Sequence, residues 1–77
     1  MNQLQRAFHL LTTRKMHNFD FADHYILQYQ RVLHDLRHRY SMNVIMERTD
    51  NPRVNLYYIE VPDGCFANVN TMQFEEE

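Results

Sequence analysis

The sequence predicts a small α+β domain in which helices come first and a β-hairpin follows. A regular apolar stripe runs from Tyr29 to Tyr40 at the spacing of an amphipathic helix. Beyond it, β-branched and aromatic residues occupy two short runs on either side of a turn sequence, TDNPR. The chain has 77 residues, of which 44% are hydrophobic, so it suits one folded domain with a modest core rather than a disordered segment.

The first segment, from Asn2 to about Arg14, is predicted to be a helix. Its apolar residues recur at positions i, i+3, i+4 and i+7 and form one stripe. Two adjacent threonines in TTRK favour a helix exit there. The next residues, MHNFDF, alternate in polarity and are read as a short strand or an extended connector. The stripe consists of Leu4, Ala7, Phe8 and Leu11.

Two further helices are predicted between residues 20 and 41. Asp20 suits the N-cap of a second helix that ends near Leu27, because its carboxylate can accept unpaired backbone N–H groups. The apolar phase shifts at QYQ, so a joint is placed there, with one continuous helix over 20–40 as the alternative. Ser41 and Asn43 suit the exit of the third helix, and asparagine tolerates the left-handed conformation. The stripe of the third helix is Tyr29, Val32, Leu33, Leu36 and Tyr40.

The hairpin is predicted over residues 43–61, with TDNPR as its turn and PDG after its second strand. In the second strand, Tyr57 and Ile59 share one face, and Leu56 and Tyr58 share the other. One face packs on the helices. The other face either stays open for a protein partner or a second copy, or is covered by residues 63–77. That extension, with its acidic end, is predicted to follow a domain over 1–62 and to add a strand, a helix or a partner contact.

Two adjacent helices followed by a hairpin make the winged helix-turn-helix arrangement. The residues RVLHDLRHRYSMNVIMER and the tyrosine-rich NLYYIEV resemble the recognition helix and wing of small winged helix-turn-helix proteins, which are common among phage and prophage genes and bacterial regulators. The resemblance is generic and covers roughly residues 4–61. It implies three helices followed by a β-hairpin wing, and a regulator of transcription that binds duplex DNA. The usual glycine after the recognition helix is replaced by SMN, and the wing carries DNPR rather than a more basic turn.

The polar side of the third helix supplies the candidate DNA-binding residues. At about 100° per residue, Arg31, His34, Asp35 and His38 point away from the apolar stripe. Arginine matches guanine, glutamine matches adenine, and residues early in such a helix usually enter the major groove deepest. The base-reading candidates are Gln28, Gln30, Arg31 and His34; the phosphate-binding candidates are Arg37, His38 and Arg39, with Arg53 as the wing residue.

The charge distribution supports two kinds of partner. The net charge is −2, but residues 1–58 carry +3 and residues 59–77 carry −5. A weakly basic body fits modest DNA affinity, with a homodimer adding DNA surface. The acidic end and the low net charge fit a rival class, a protein-binding module such as an inhibitor or adaptor of a host protein. Asp35 on the polar face repels phosphate or pairs with Arg31 or Arg39, and a charged face is often only the solvated side of a helix.

No feature of the sequence predicts an enzyme, a cofactor or a membrane protein. There is no glycine-rich phosphate loop and no Ser/His/Asp arrangement. His34 and His38 lie at i and i+4 and could share a metal ion, but no spacing ties a third ligand to them, so no metal site is predicted. Cys65 is expected to be a half-buried hydrophobe. The single cysteine and the lack of a long apolar run favour a cytoplasmic location.

Overall fold

The computed structural model describes residues 2–77, so Met1, with which the predicted 1–62 domain begins, lies outside the described residues. Three helices and five strands form two antiparallel sheets, one with the strand order β1–β3–β2 and one made of β4 and β5. The α+β class, with three helices ahead of a β-hairpin, is confirmed. The elements are α1 Gln3–Thr13, β1 Met16–His17, α2 Asp20–Asp23, α3 Tyr29–His38, β2 Val44–Arg48, β3 Asn55–Ile59, β4 Cys65–Asn68 and β5 Gln73–Glu76.

Helix α1 has its start and its end where the sequence predicts them. The Asn2 side chain accepts a hydrogen bond from the Gln5 backbone N–H at 2.8 Å, and the Gln5 side chain accepts one from the Asn2 N–H at 3.1 Å. This reciprocal capping satisfies two backbone donors at the helix start. The helix runs through both threonines, whose hydroxyls donate back to carbonyls one turn earlier. Its buried residues are Ala7, Phe8 and Leu11.

Helix α2 is shorter than the predicted helix, which was expected to continue to about Leu27. After Asp23 the chain reverses through Tyr25, which adopts a left-handed φ of 62°. The Ile26 N–H donates to the Phe21 carbonyl at 2.8 Å, and the Tyr25 N–H donates to the Ala22 carbonyl at 3.0 Å. This pair of bonds is the Schellman ending of a helix, and burial of Ile26 beside Phe21 accompanies it. The early stop therefore places Ile26 in the core.

The prediction that Asp20 caps α2 is wrong. Phe19 occupies the N-cap position and makes no side-chain capping bond. The Asp20 carboxylate instead accepts from the His17 backbone N–H at 3.2 Å and lies 3.1 Å from the His17 Nε2. Asp20 thus ties the short strand β1 to the start of α2, because both of its contacts are with the same residue of β1.

Helix α3 begins at Tyr29, which confirms the joint at QYQ and excludes one continuous helix. It ends at His38, three residues before the predicted end. The left-handed residue of the exit is Ser41, with a φ of 54°, and not Asn43. The Met42 N–H donates to the Leu36 carbonyl at 2.9 Å and Met42 is buried. The helix ends early because this reversal carries Met42 back onto the core.

Strand β3 forms the centre of the three-stranded sheet. β1 pairs with it on one side and β2 on the other, with Met16 opposite Tyr57 and Val44 opposite Ile59. Tyr57 and Ile59 are buried, so this is the face that packs on the helices. The Tyr29 ring stacks on Phe21 at a centroid distance of 5.1 Å, and both rings lie 6.1 Å from that of Tyr57. The start of α3 is therefore fixed against α2 and the sheet by aromatic contacts.

Residues 63–77 form a second hairpin, which answers the question of their structure. Met72 is buried with a left-handed φ of 56°, and the Phe74 ring lies 5.8 Å from that of Phe8. The Gln5 side chain donates to the Val69 carbonyl at 3.3 Å. These contacts place the second hairpin against α1 and join it to the main hydrophobic core.

The outer face of the three-stranded sheet carries a polar cluster of Lys15, Glu47 and Tyr58. The Lys15 ammonium lies 3.2 Å from both Glu47 oxygens and 4.9 Å from the centre of the Tyr58 ring. The hydrogen bond from Lys15, and to a smaller extent the one from Tyr58, lowers the pKa of Glu47 below its ordinary 4.5. The bond to Glu47 raises the pKa of Tyr58 above its ordinary 10.0. The contribution of Glu47 to the stability of the fold is therefore present above pH 4.5, and it is lost as the pH falls through the lowered pKa of Glu47. The contribution of Tyr58 is present below pH 10.0, and it is lost as the pH rises through the raised pKa of Tyr58.

Replacing Lys15 with methionine should move the pKa of Glu47 back towards 4.5, because the largest cause of the lowering is removed. Carboxyl carbon NMR recorded over an acid titration measures this directly. Arg14→Met is the matched control, since its guanidinium contacts the His24 ring instead. An unchanged Glu47 pKa in Lys15→Met, or an equal rise in both variants, would contradict the assigned contact.

Candidate nucleic-acid interface

The solvent side of α3 holds most of the residues that the sequence proposes for DNA contact. Val32, Leu33 and Leu36 are buried, which turns the intervening polar residues outward as the periodicity predicts. Asp35 is half-buried between them. The exposed candidates on α3 and its two caps are Gln28, Gln30, Arg31, His34, Arg37, His38 and Arg39.

Apart from the two histidines, three of these side chains contact neighbouring groups of the same chain. An Arg37 guanidinium nitrogen donates to the Val44 carbonyl at 3.0 Å and so links α3 to β2. The Gln30 side chain donates to the Tyr29 hydroxyl at 3.3 Å, and the Arg39 guanidinium lies 5.7 Å from the centre of the Tyr40 ring. Periodicity could not reveal the bond from Arg37 to Val44, since it depends on the bend after α3. These contacts leave Arg31 as the arginine of α3 with the fewest local contacts.

His34 and His38 lie side by side one turn apart. Their ring centroids are 4.3 Å apart and the ring planes are tilted by 36°. Both residues are exposed. Within residues 2–77, neither ring takes part in a hydrogen bond or an ion pair. The two imidazole rings therefore form an exposed pair on the last two turns of the helix.

Asp35 does not make the ion pair expected with Arg31 or Arg39. The salt bridges of the described residues are Lys15–Glu47 and His17–Asp20. The pairing fails for Arg39 because its guanidinium lies over the Tyr40 ring. The carboxylate thus has no ion-pair partner among the described residues, and its negative charge near the arginines of α3 and its C-cap opposes phosphate binding.

The turn of the β2–β3 hairpin is held by its own polar side chains. The Thr49 hydroxyl donates to the Val54 carbonyl at 2.7 Å, and the Asn51 carboxamide accepts from the Arg53 N–H at 3.0 Å. Arg53 is exposed as predicted, but no contact among the described residues joins it to α3. Arg48, at the end of β2, is a second exposed arginine beside this turn. It was not proposed from the sequence, although its position directly before TDNPR was a usable signal.

The link between α2 and α3 exposes two large apolar side chains, and a third is exposed at the N-cap of α2. Phe19, Tyr25 and Leu27 are 60%, 79% and 78% exposed. Tyr25 and Leu27 flank the buried Ile26, so the reversal that buries one residue turns its two neighbours outward. Exposed aromatic and aliphatic groups of this kind are typical of protein-binding surfaces.

Two other kinds of feature, a metal-binding cluster of three or more ligands and a membrane-spanning helix, are absent from the part of the chain that the structure describes. Among residues 2–77, no three or more His, Cys, Asp or Glu side chains come together as a metal-binding group. Over the same range, none of the helices has the length and apolar character that crossing a membrane requires. Comparison with models of known protein families, with curated proteins and with solved structures finds no match to this chain.

Proposed function

We propose that this chain is a winged helix-turn-helix domain that binds duplex DNA and regulates transcription, as in small regulators of phage or mobile elements. The order of elements supports the proposal: α1, β1, α2, α3 and then the β2–β3 hairpin. So does the antiparallel strand order β1–β3–β2, which agrees with use of the β2–β3 hairpin as a wing beside α3. The mechanism would be occupancy of a DNA site, without chemistry.

The single observation that carries the proposal is the uncovered polar face of α3. The other elements pack on its apolar stripe, so Arg31 and His34 can approach base edges from the first two turns. Arg37 retains further guanidinium donors beyond the one given to Val44, and these suit phosphate oxygens. Arg39 and His38, later in the helix, suit the backbone as well. Arg53 and Arg48 would make wing contacts.

A dimer fits the proposal because one module of this size covers little DNA. Single small modules bury roughly 600–1,000 Å² of protein surface on DNA, at the low end for specific binding. Two copies on a two-fold symmetric site would double the number of arginine contacts. Each copy would also bring the negative charge of its β4–β5 hairpin, which works against accumulation of the protein on DNA, so the gain would come from the added arginine contacts.

The test is an electrophoretic mobility shift with random duplex DNA at low and moderate salt. We expect binding at micromolar protein in low salt that weakens steeply as salt rises, because counterions are released from each phosphate contacted. Selection from genomic fragments would then identify a specific site. Failure to bind random DNA at low salt, followed by failure to select any fragment, would reject the proposal.

A second candidate function is a protein-binding module on the same scaffold, such as an inhibitor or adaptor of a host protein. The exposed Phe19, Tyr25 and Leu27 favour it, since they lie outside the apolar stripe of α3 and are not among the residues of the hydrophobic core. The excess of acid in residues 59–77 agrees with a partner other than DNA. The same mobility-shift experiment separates the two candidates, because a protein-binding module is expected to show no DNA binding at any salt concentration.

A further inference from the structure

We propose that His34 and His38 form a two-imidazole chelate for a divalent copper or nickel ion on the exposed face of α3. The inference does not rest on DNA binding, since it uses only the geometry of the two rings. The neutral imidazole is the commonest protein ligand for transition metals. Residues at i and i+4 of a helix face the same way, so a folded α3 presents both rings to one ion.

The ring separation fits two neighbouring positions around one ion. With a metal–nitrogen distance of about 2.0–2.1 Å, each ring centroid lies roughly 3.2 Å from the metal. Two rings at a right angle then have centroids roughly 4.5 Å apart, and two at the tetrahedral angle roughly 5.2 Å apart. The observed 4.3 Å is close to the first value. Rotation of each ring about its Cβ–Cγ bond changes the direction of its nitrogens and hardly moves the centroid.

The centroid separation, which is nearer to the value for right-angled ligands, favours particular metals. Square-planar and tetragonal sites with nitrogen and oxygen ligands are typical of Cu²⁺ and Ni²⁺, and Cu²⁺ binds most tightly among the divalent ions of the first transition row. Zn²⁺ prefers the wider tetrahedral arrangement. Water would complete the coordination, because among the described residues no third ligand joins the pair. The bound ion would therefore exchange readily with solvent, unlike the ion of a closed four-ligand site that holds a fold together.

The surroundings allow both rings to serve as ligands. Neither ring has a hydrogen bond to give up within residues 2–77, and the exposure of both leaves room for water on the ion. Arg31, one turn before His34, adds a positive charge that weakens the affinity for a cation. Asp35, adjacent in sequence and without an ion pair, partly offsets that charge.

The test is calorimetric titration of the full chain with Ni²⁺, which has no redox chemistry under these conditions. We expect one ion per chain and a dissociation constant at least ten-fold lower than in His34→Asn or His38→Asn. His9→Asn is the matched control, because His9 is also exposed on a helix and should not change the dissociation constant. Binding should weaken as the pH falls, since protons compete for the imidazole nitrogens.

A second measurement separates chelation by the helix from scattered single-histidine binding. Ni²⁺ should raise the unfolding temperature of the wild type, because the i and i+4 rings converge only when α3 is folded. It should not raise that of His34→Asn or His38→Asn. Equal Ni²⁺ affinity in the wild type and both variants would overturn the proposal, as would a stoichiometry of one ion per two chains.

Discussion

Replacing Phe8 with alanine should lower the free energy of unfolding by about 3–5 kcal/mol, which is the usual cost of removing a large aromatic side chain from a core. Phe8 is fully buried in α1 and contacts Phe74 of the second hairpin. Its loss leaves a cavity between two elements that meet mainly through side chains. A domain of this size has a total stability of roughly 4–12 kcal/mol, so the variant should lose a large fraction of its stability, and it should be largely unfolded where the wild type lies at the low end of that range.

Urea unfolding followed by far-ultraviolet circular dichroism measures the Phe8→Ala effect. Phe19→Ala is the matched control, because that ring is 60% exposed and its removal should change the unfolding free energy by less than about 0.5 kcal/mol. Similar small effects of both substitutions would mean that the second hairpin does not pack on α1. The two variants also bear on the predicted division into a domain over 1–62 and an extension over 63–77, because Phe74 of the extension contacts Phe8.

The elements that the sequence predicts well are those with a strong periodic or turn signal. The stripes of α1 and α3 set which side of each helix is buried, and they place Arg31 and His34 outward. The TDNPR turn likewise predicts the β2–β3 hairpin, and alternation predicts the buried side of β3. These predictions succeed because burial of apolar surface is the dominant favourable term in folding and follows side-chain spacing directly.

The predictions that fail depend on where the chain reverses after a helix and on which side chains the reversal buries. α2 ends early at a left-handed tyrosine, Tyr25, and no local signal shows this, because glycine or asparagine normally occupies such a position. The conformation costs roughly 1–2 kcal/mol in the backbone, and burial of Ile26 offsets it. The link from Arg37 to Val44 similarly arises only once the chain has reversed at Ser41. A candidate site can therefore be assigned to a helix face from sequence, but the internal partners of its side chains cannot.

This distinction decides which arginine best tests the proposed DNA contact. Arg37 also joins α3 to β2, so its replacement would change stability and binding together. Arg31 is exposed and makes no side-chain hydrogen bond or ion pair within residues 2–77. Its removal should leave the free energy of unfolding within about 0.5 kcal/mol of the wild type. A change in DNA affinity can then be assigned to the contact itself.

Arg31→Ala should weaken duplex DNA binding by about 1–3 kcal/mol if the guanidinium reads a base edge. If it binds phosphate instead, the loss should be similar on all sequences, and the dependence of log affinity on log salt should become shallower by about one unit. Fluorescence anisotropy with labelled duplexes over a range of salt measures both quantities. Urea unfolding of the same variant supplies the control for stability.

Asp35→Asn supplies the opposite charge change on the same helix face. Removing this unpaired carboxylate should strengthen DNA binding at low salt, and the gain should shrink as salt rises, because screening acts over about 8 Å at physiological ionic strength. Arg31→Ala and Asp35→Asn each change the charge of α3 by one unit, and the two changes have opposite signs. Opposite shifts in affinity therefore require DNA to lie against this face of α3, whereas unchanged affinity in both would exclude α3 as the contact surface.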